Sequence, residues 1–77
     1  MCNVGRVVEF NLDGYALARR LVHRVDDPAQ EINVISPVGS ALVEARPGDS
    51  IEVDAPGGKV AVNVVRVMDE APTPVVA

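Results

Sequence analysis

The chain has 77 residues, room for one hydrophobic core and no second domain. Its composition, 48% hydrophobic and 23% charged, is globular, and a net charge of −4 denies it the overall basic footprint that binding DNA or RNA through counterion release needs. No apolar run approaches the roughly 20 residues of a membrane span, MCNVGRVVEF has no apolar signal-peptide core, and the lone Cys2 has no internal disulfide partner, so the expectation is a cytoplasmic protein without membrane contact.

Val4 to Phe10 reads as a strand rich in β-branched residues, with Val4, Arg6, Val8 and Phe10 on one face. Asn11 to Gly14 (NLDG) follows as a turn, because Asp-Gly readily supplies positive φ. Tyr15 to Val25 is the returning strand. Arg19 and His23 share the parity of Tyr15, Leu17, Leu21 and Val25, which leaves a bulge or a helical turn near Ala16–Arg20 as an alternative. Asp26-Asp27-Pro28 closes it, and Glu31 to Ile35 (EINVI) is a short strand.

A helix is expected next. Ser36 suits the N-cap and Pro37 the first helical position, where a missing N–H is harmless. Val38, Ala41, Leu42 and Ala45 make one apolar stripe, Gly39 and Ser40 are poor helix formers, and Pro47-Gly48 marks the end. Ile51 to Asp54 alternates as a half-exposed strand, and Ala55 to Lys59 turns through Gly57-Gly58. Val60 to Met68 is the longest strand, with Val60, Val62 and Val64 on one face and Val65 and Val67 on the other. Residues 69–77, with two prolines, read as a disordered tail after a single domain over 1–68. The predicted architecture is α+β: a small antiparallel sheet of about four to five strands packed on one short helix.

Few residues promise chemistry. His23 has no recognisable nucleophile beside it, Cys2 no base, and one His with one Cys gives no metal-ligand spacing. Gly57-Gly58 lacks the P-loop pattern, and Asp49, Glu52 and Asp54 fit the solvated face of a strand. No catalytic residue, no metal and no cofactor are expected. Arg6, Arg19, Arg20 and Arg24 gather in the first third, a basic patch suited to an acidic protein partner at least as well as to nucleic acid.

Three segments in order, ISPVGSAL, RPGDSIEV and APGGK followed by a valine-rich strand, resemble the C-terminal domain of the GreA/GreB family of transcription elongation factors and of its Rnk-like relatives. Upstream, GRVVEF and LVHRVDDPAQEINVISP look like the family's opening hairpin and its connection. The resemblance spans about Val4 to Val67. It implies an FKBP-like fold that docks on RNA polymerase at the coiled coil on the rim of the secondary channel, with Asn33, Ile35, Ser36 and Pro37 as the contact residues. Cleavage-stimulating members carry an N-terminal coiled coil whose acidic tip reaches the polymerase active site. This chain starts where the C-terminal domain begins, so the coiled coil is expected to be absent and transcript cleavage with it. Many members also place Asp immediately before Ser-Pro, where this chain has Ile35.

The expected function is thus a non-enzymatic polymerase-binding module that regulates elongation, without sequence-specific nucleic-acid contact. The alternatives are an orphan interaction domain with another partner, for which Ile35 must be exposed, or a peptidyl-prolyl isomerase. The last fits poorly, because FKBP-type active sites are lined by several aromatics and Phe10 and Tyr15 are the aromatic residues here.

Overall fold

Asp13 and Gly14 turn the chain back on itself, both at positive φ (50° and 91°), with Leu12 opposite Tyr15. This is the two-residue hairpin whose twist matches that of its strands. It joins β1 (Val7–Leu12) to β2 (Tyr15–Val22) in a computed structural model that describes residues 3–69. The turn is tighter than NLDG suggested, since Asn11 and Leu12 remain in the ladder. β1 begins at Val7 rather than Val4, and β2 ends at Val22 rather than Val25. β2 keeps an unbroken register from Tyr15 to Arg20, so the bulge or helical turn considered there does not form. Cys2 and residues 70–77 of the expected 69–77 tail lie outside the described residues, while Asp69, the first of that tail, is held by Arg6 and Arg20.

After β2, residues 23–30 bring the chain back to start β3 (Glu31–Asn33) parallel to β2, with Arg20 opposite Glu31. Parallel neighbours usually need a crossover of about a dozen residues or more, and this shorter return is tied by its own polar groups. The Glu31 carboxylate accepts the N–H groups of Asp26 (2.8 Å) and Asp27 (2.9 Å), and the Asp27 carbonyl accepts those of Gln30 and Glu31. Val7, buried on the sheet face opposite Val8, lines a recess with Arg20, Asp26, Asp27, Gln30 and Glu31.

The helix α1 (Pro37–Leu42) is followed by β4 (Ser50–Ala55) and β5 (Gly58–Met68), which pair as a hairpin around Pro56-Gly57. The five strands form one sheet in the order β3-β2-β1-β5-β4, antiparallel except for the β2–β3 pair. Between β1 and β5 the register slips: Glu9 faces Arg66 but Phe10 faces Val64, leaving Val65 as the extra residue of a β-bulge. That slip reverses the side-chain alternation. Val67 therefore packs against the core beside Val64 instead of lying on the opposite face with Val65, which is 41% exposed.

The core is Val8, Phe10, Leu21, Val34, Leu42, Ala45, Val53, Val62 and Val64, enclosed between the sheet and the helix segment. The apolar stripe covers the sheet as its spacing predicted, with Leu42 and Ala45 buried and Val38 and Ala41 packed at the margin. The helix itself is shorter than the stripe, ending at Leu42 well before Pro47-Gly48. Asn3 accounts for the stop. It is 3% exposed, its side-chain amide donates to the carbonyls of Leu42 and Ala45 (2.8 Å each), and its backbone N–H donates to that of Val43 (2.7 Å). Three carbonyls that another helical turn would have used are thus satisfied from the other end of the chain.

Candidate protein-docking site

The strand-to-helix corner is wired by its own side chains. Asn33 ends β3, and its Oδ1 accepts the backbone N–H of Ile35 (2.9 Å). The Asn33 carbonyl accepts both the N–H (3.1 Å) and the Oγ–H (2.7 Å) of Ser36. Ser36, extended at φ −69° and ψ 157°, caps the helix by accepting the Gly39 N–H at Oγ (3.0 Å). Pro37 then occupies the first turn, where no donor is missed.

Gly39 makes this corner possible. A Cβ there would stand 1.9 Å from the Asn33 carbonyl oxygen and 2.8 Å from Ser36 Oγ. The helix therefore presses on the end of β3 as closely as a bare backbone allows. In the sequence Gly39 stands out only as a weak helix former. The available signal was a glycine in the first turn of a helix too short to tolerate one without a packing reason.

The four residues expected at the contact, Asn33, Ile35, Ser36 and Pro37, are brought together on this one turn. Asn33 and Ser36 are half-buried and spent on internal hydrogen bonds, whereas Pro37 is exposed and Ile35 is 83% exposed. A large aliphatic side chain thus stands in solvent on a backbone that cannot easily move. The outward edge of β3 is occupied at both ends, the Glu31 N–H by the Asp27 carbonyl and the Asn33 carbonyl by Ser36. What the corner can offer is a rigid knob.

The other candidates disperse. Arg19 and Arg20 are consecutive on β2 and so point to opposite faces. Arg20 donates to the carbonyls of Gly5 and Asp69, and Arg6 pairs with the Asp69 carboxylate at 3.3 Å. Arg6 and Arg20 thus meet at Asp69, while Arg19 on the other face donates to the Ala18 carbonyl, so the arginines of the first third do not all gather in one patch. Asp49 accepts the Arg46 N–H in a turn and Glu52 pairs with Lys59 (3.1 Å), so the acidic run is split between separate partners. His23 is exposed in the connection after β2. Among the described residues no three His, Cys, Asp or Glu side chains are grouped to hold a metal, and no helix is long and apolar enough to cross a membrane. The backbone N–H groups of Asp27 and Asp26 hold the Glu31 carboxyl below its ordinary value.

Residues 3–69 match the family model described as transcription elongation factor GreA/GreB, C-term. The chain belongs to the GreA/GreB family. It is 56% identical over 36 residues to the transcription elongation factor GreA of Rhodospirillum rubrum, covering 47% of this chain and 23% of that protein. Over 46 residues it is 39% identical to GreA of Acidiphilium cryptum, covering 60% and 29%. Among solved structures it superposes on Gfh1 of Thermus aquaticus with a TM-score of 0.69 at 32% identity, covering 87% of this chain and 47% of that one. GreA/GreB from Nitrosomonas europaea gives 0.64 at 33%, covering 84% and 58%. The matched part of this chain thus spans about a quarter of each of these two curated relatives and about half of each solved structure. The α+β architecture and the membership predicted from ISPVGSAL, RPGDSIEV and APGGK both hold, in a family of transcription elongation factors.

Proposed function

We propose that this domain docks on RNA polymerase at the rim of the secondary channel through the Asn33–Pro37 corner, and that it regulates transcription elongation from there. The observation that carries the reading is a fully wired, exposed corner, at the positions the family resemblance assigns to the contact, inside a domain matched over residues 3–69. In this reading the partner surface is the helical coiled coil of the rim, and the domain works as a non-enzymatic grip in the cytoplasm. Residues 3–69 correspond to the docking domain and not to the coiled coil whose acidic tip stimulates cleavage in the family. They therefore occupy the site without stimulating transcript cleavage and compete with full-length factors for it.

The test is retention of bacterial RNA polymerase on the immobilised chain, with full-length GreA as soluble competitor and a transcript-cleavage assay on the eluate. Retention that GreA abolishes, with no added cleavage, supports the proposal. Failure to retain polymerase at low salt, while GreA on the same support retains it, would sink it. The exposure of Ile35 also favours a second reading, in which the same corner grips another protein. Retention that excess GreA does not displace would point that way.

A further inference from the structure

We infer that the corner holds its partner through an apolar anchor, Ile35, inserted as a knob between the side chains of packed helices, with charge contributing little to the contact. The inference deepens the docking reading and rests on it. None of Asn33, Ile35, Ser36 and Pro37 carries a charge. The side-chain oxygens that could bind a partner's donors are already engaged, Asn33 Oδ1 by Ile35 N–H and Ser36 Oγ by Gly39 N–H. What projects outward is hydrocarbon: Ile35 at 83% exposure, with the Pro37 ring beside it in sequence and also exposed.

Ile35 differs from the other exposed large apolar residues of the described chain. Tyr15 stands at the Asp13-Gly14 turn, at the start of β2, while the corner adjoins its far end, where Val22 faces Asn33. Val65 is the extra residue of the β5 bulge and is half as exposed. Ile35 rises from a corner backbone locked on both sides, by its own N–H to Asn33 Oδ1 and by the Ser36 N–H to the Asn33 carbonyl. A β-branched side chain on a fixed backbone has few conformations to lose, so burying it costs little ordering entropy. On the coiled coil of the docking reading, the surface that accepts such a side chain is the hole between four side chains of packed helices. A carboxylate or ammonium at that hole would gain no partner from this corner and would be desolvated against hydrocarbon.

The experiment titrates purified bacterial RNA polymerase core enzyme with the 77-residue chain and with Ile35→Ala, Ile35→Leu and Ile35→Asp, each at low and at high potassium chloride. Thermal melts accompany every variant, and because Ile35 is exposed all of them should melt with the parent. Removing the aliphatic arm in Ile35→Ala should weaken binding on the order of 30-fold. Ile35→Leu should stay within roughly threefold, and Ile35→Asp should bind no better than Ile35→Ala. For the parent, raising salt tenfold should change affinity by less than about threefold, because an apolar contact is not screened. Ile35→Ala binding like the parent, Ile35→Asp binding more tightly, or affinity that collapses with salt would each overturn the apolar anchor and leave docking intact. A parent chain that does not bind polymerase under either salt condition overturns both.

Discussion

Replacing Gly39 by Ala should destabilise the domain, the opposite of what a helix position normally does. In an ordinary helix the change gains about 1 kcal/mol, because Ala has the higher propensity. Here the new Cβ would lie 1.9 Å from the Asn33 carbonyl oxygen, 2.8 Å from its carbonyl carbon and 2.8 Å from Ser36 Oγ, where ordinary contact begins near 3.4 Å. Neither backbone atom belongs to a flexible side chain, so either α1 or the end of β3 must retreat. Retreat breaks the Ser36 cap, which contributes about 1 kcal/mol. It also drags on Leu42, fully buried at the other end of the same short helix, a disturbance comparable to overpacking at about 1–3 kcal/mol. Set against the propensity gain, the net loss is about 2 kcal/mol, or roughly 10–15 °C in melting temperature for a domain of this size.

Thermal and urea unfolding of Gly39→Ala would read this directly, with Gly57→Ala as the control. Gly57 has open space around its Cβ position and no positive φ, so that variant should melt at or slightly above the parent. Hydrogen exchange at the amides of Ile35 and residue 39 gives a local reading, since both bonds should open in Gly39→Ala. A variant that melts within about 2 °C of the parent, with those amides still protected, would refute the close-approach argument.

Three further outcomes follow from the same contacts. Asn3→Ala leaves the Ala45 carbonyl without its donor and the Leu42 carbonyl with only the Ala45 N–H (3.2 Å), and should cost about 1–3 kcal/mol in urea unfolding, a large loss for a residue at the edge of the described chain. For Glu31, a carboxylate held below its ordinary value of 4.5 contributes stability that is present above that value. The contribution fades as pH falls from there through the lower folded-state value, so Glu31→Gln should flatten the acid limb of the stability–pH curve below 4.5. An NMR titration midpoint for Glu31 at or above 4.5 would contradict the loop's hydrogen bonding. Lys59→Ala should move the melting temperature by no more than a few degrees, since Lys59 and Glu52 are each about two-thirds exposed and such a pair contributes below about 1 kcal/mol.

Where chemistry is local, the sequence could be read closely. Ser36 followed by Pro37 specifies a capped helix start whatever surrounds it, and Asp13-Gly14 specifies a tight hairpin, because both depend on the φ and hydrogen-bond preferences of adjacent residues. The core face of β5 was half legible. The alternation of Val60, Val62 and Val64 was visible, but in VNVVRV a run of valines supports either register. Only the partner strand, where Glu9 faces Arg66 and Phe10 faces Val64, decides that Val67 turns inward. The parallel docking of β3 was hidden for a related reason: EIN carries no mark of direction, and the return through residues 23–30 depends on Glu31 reaching back to Asp26 and Asp27. Asn3 was the least visible of all, since its partners lie 39 and 42 positions away.

The two residues whose roles the sequence does not show are the ones that hold α1 at its ends. Gly39 lets the first turn press against Asn33, and Asn3 fastens the last turn through the carbonyls of Leu42, Val43 and Ala45. Between them lies a helix of six residues, which on its own is far below the length that persists in water. Its position, and with it the direction in which Ile35 points, is therefore a property of the assembled domain rather than of ISPVGSAL alone. This separates two requirements that the sequence motif merges. The Ser-Pro pair makes the turn, while Gly39 and Asn3 hold it still, so a chain could keep ISP and lose the rigid knob by losing either support. Variants at Asn3, remote in sequence from the corner and without a place in the proposed contact, should loosen docking in proportion to how far they free the helix. Variants at Ile35 should weaken docking without any change in the fold.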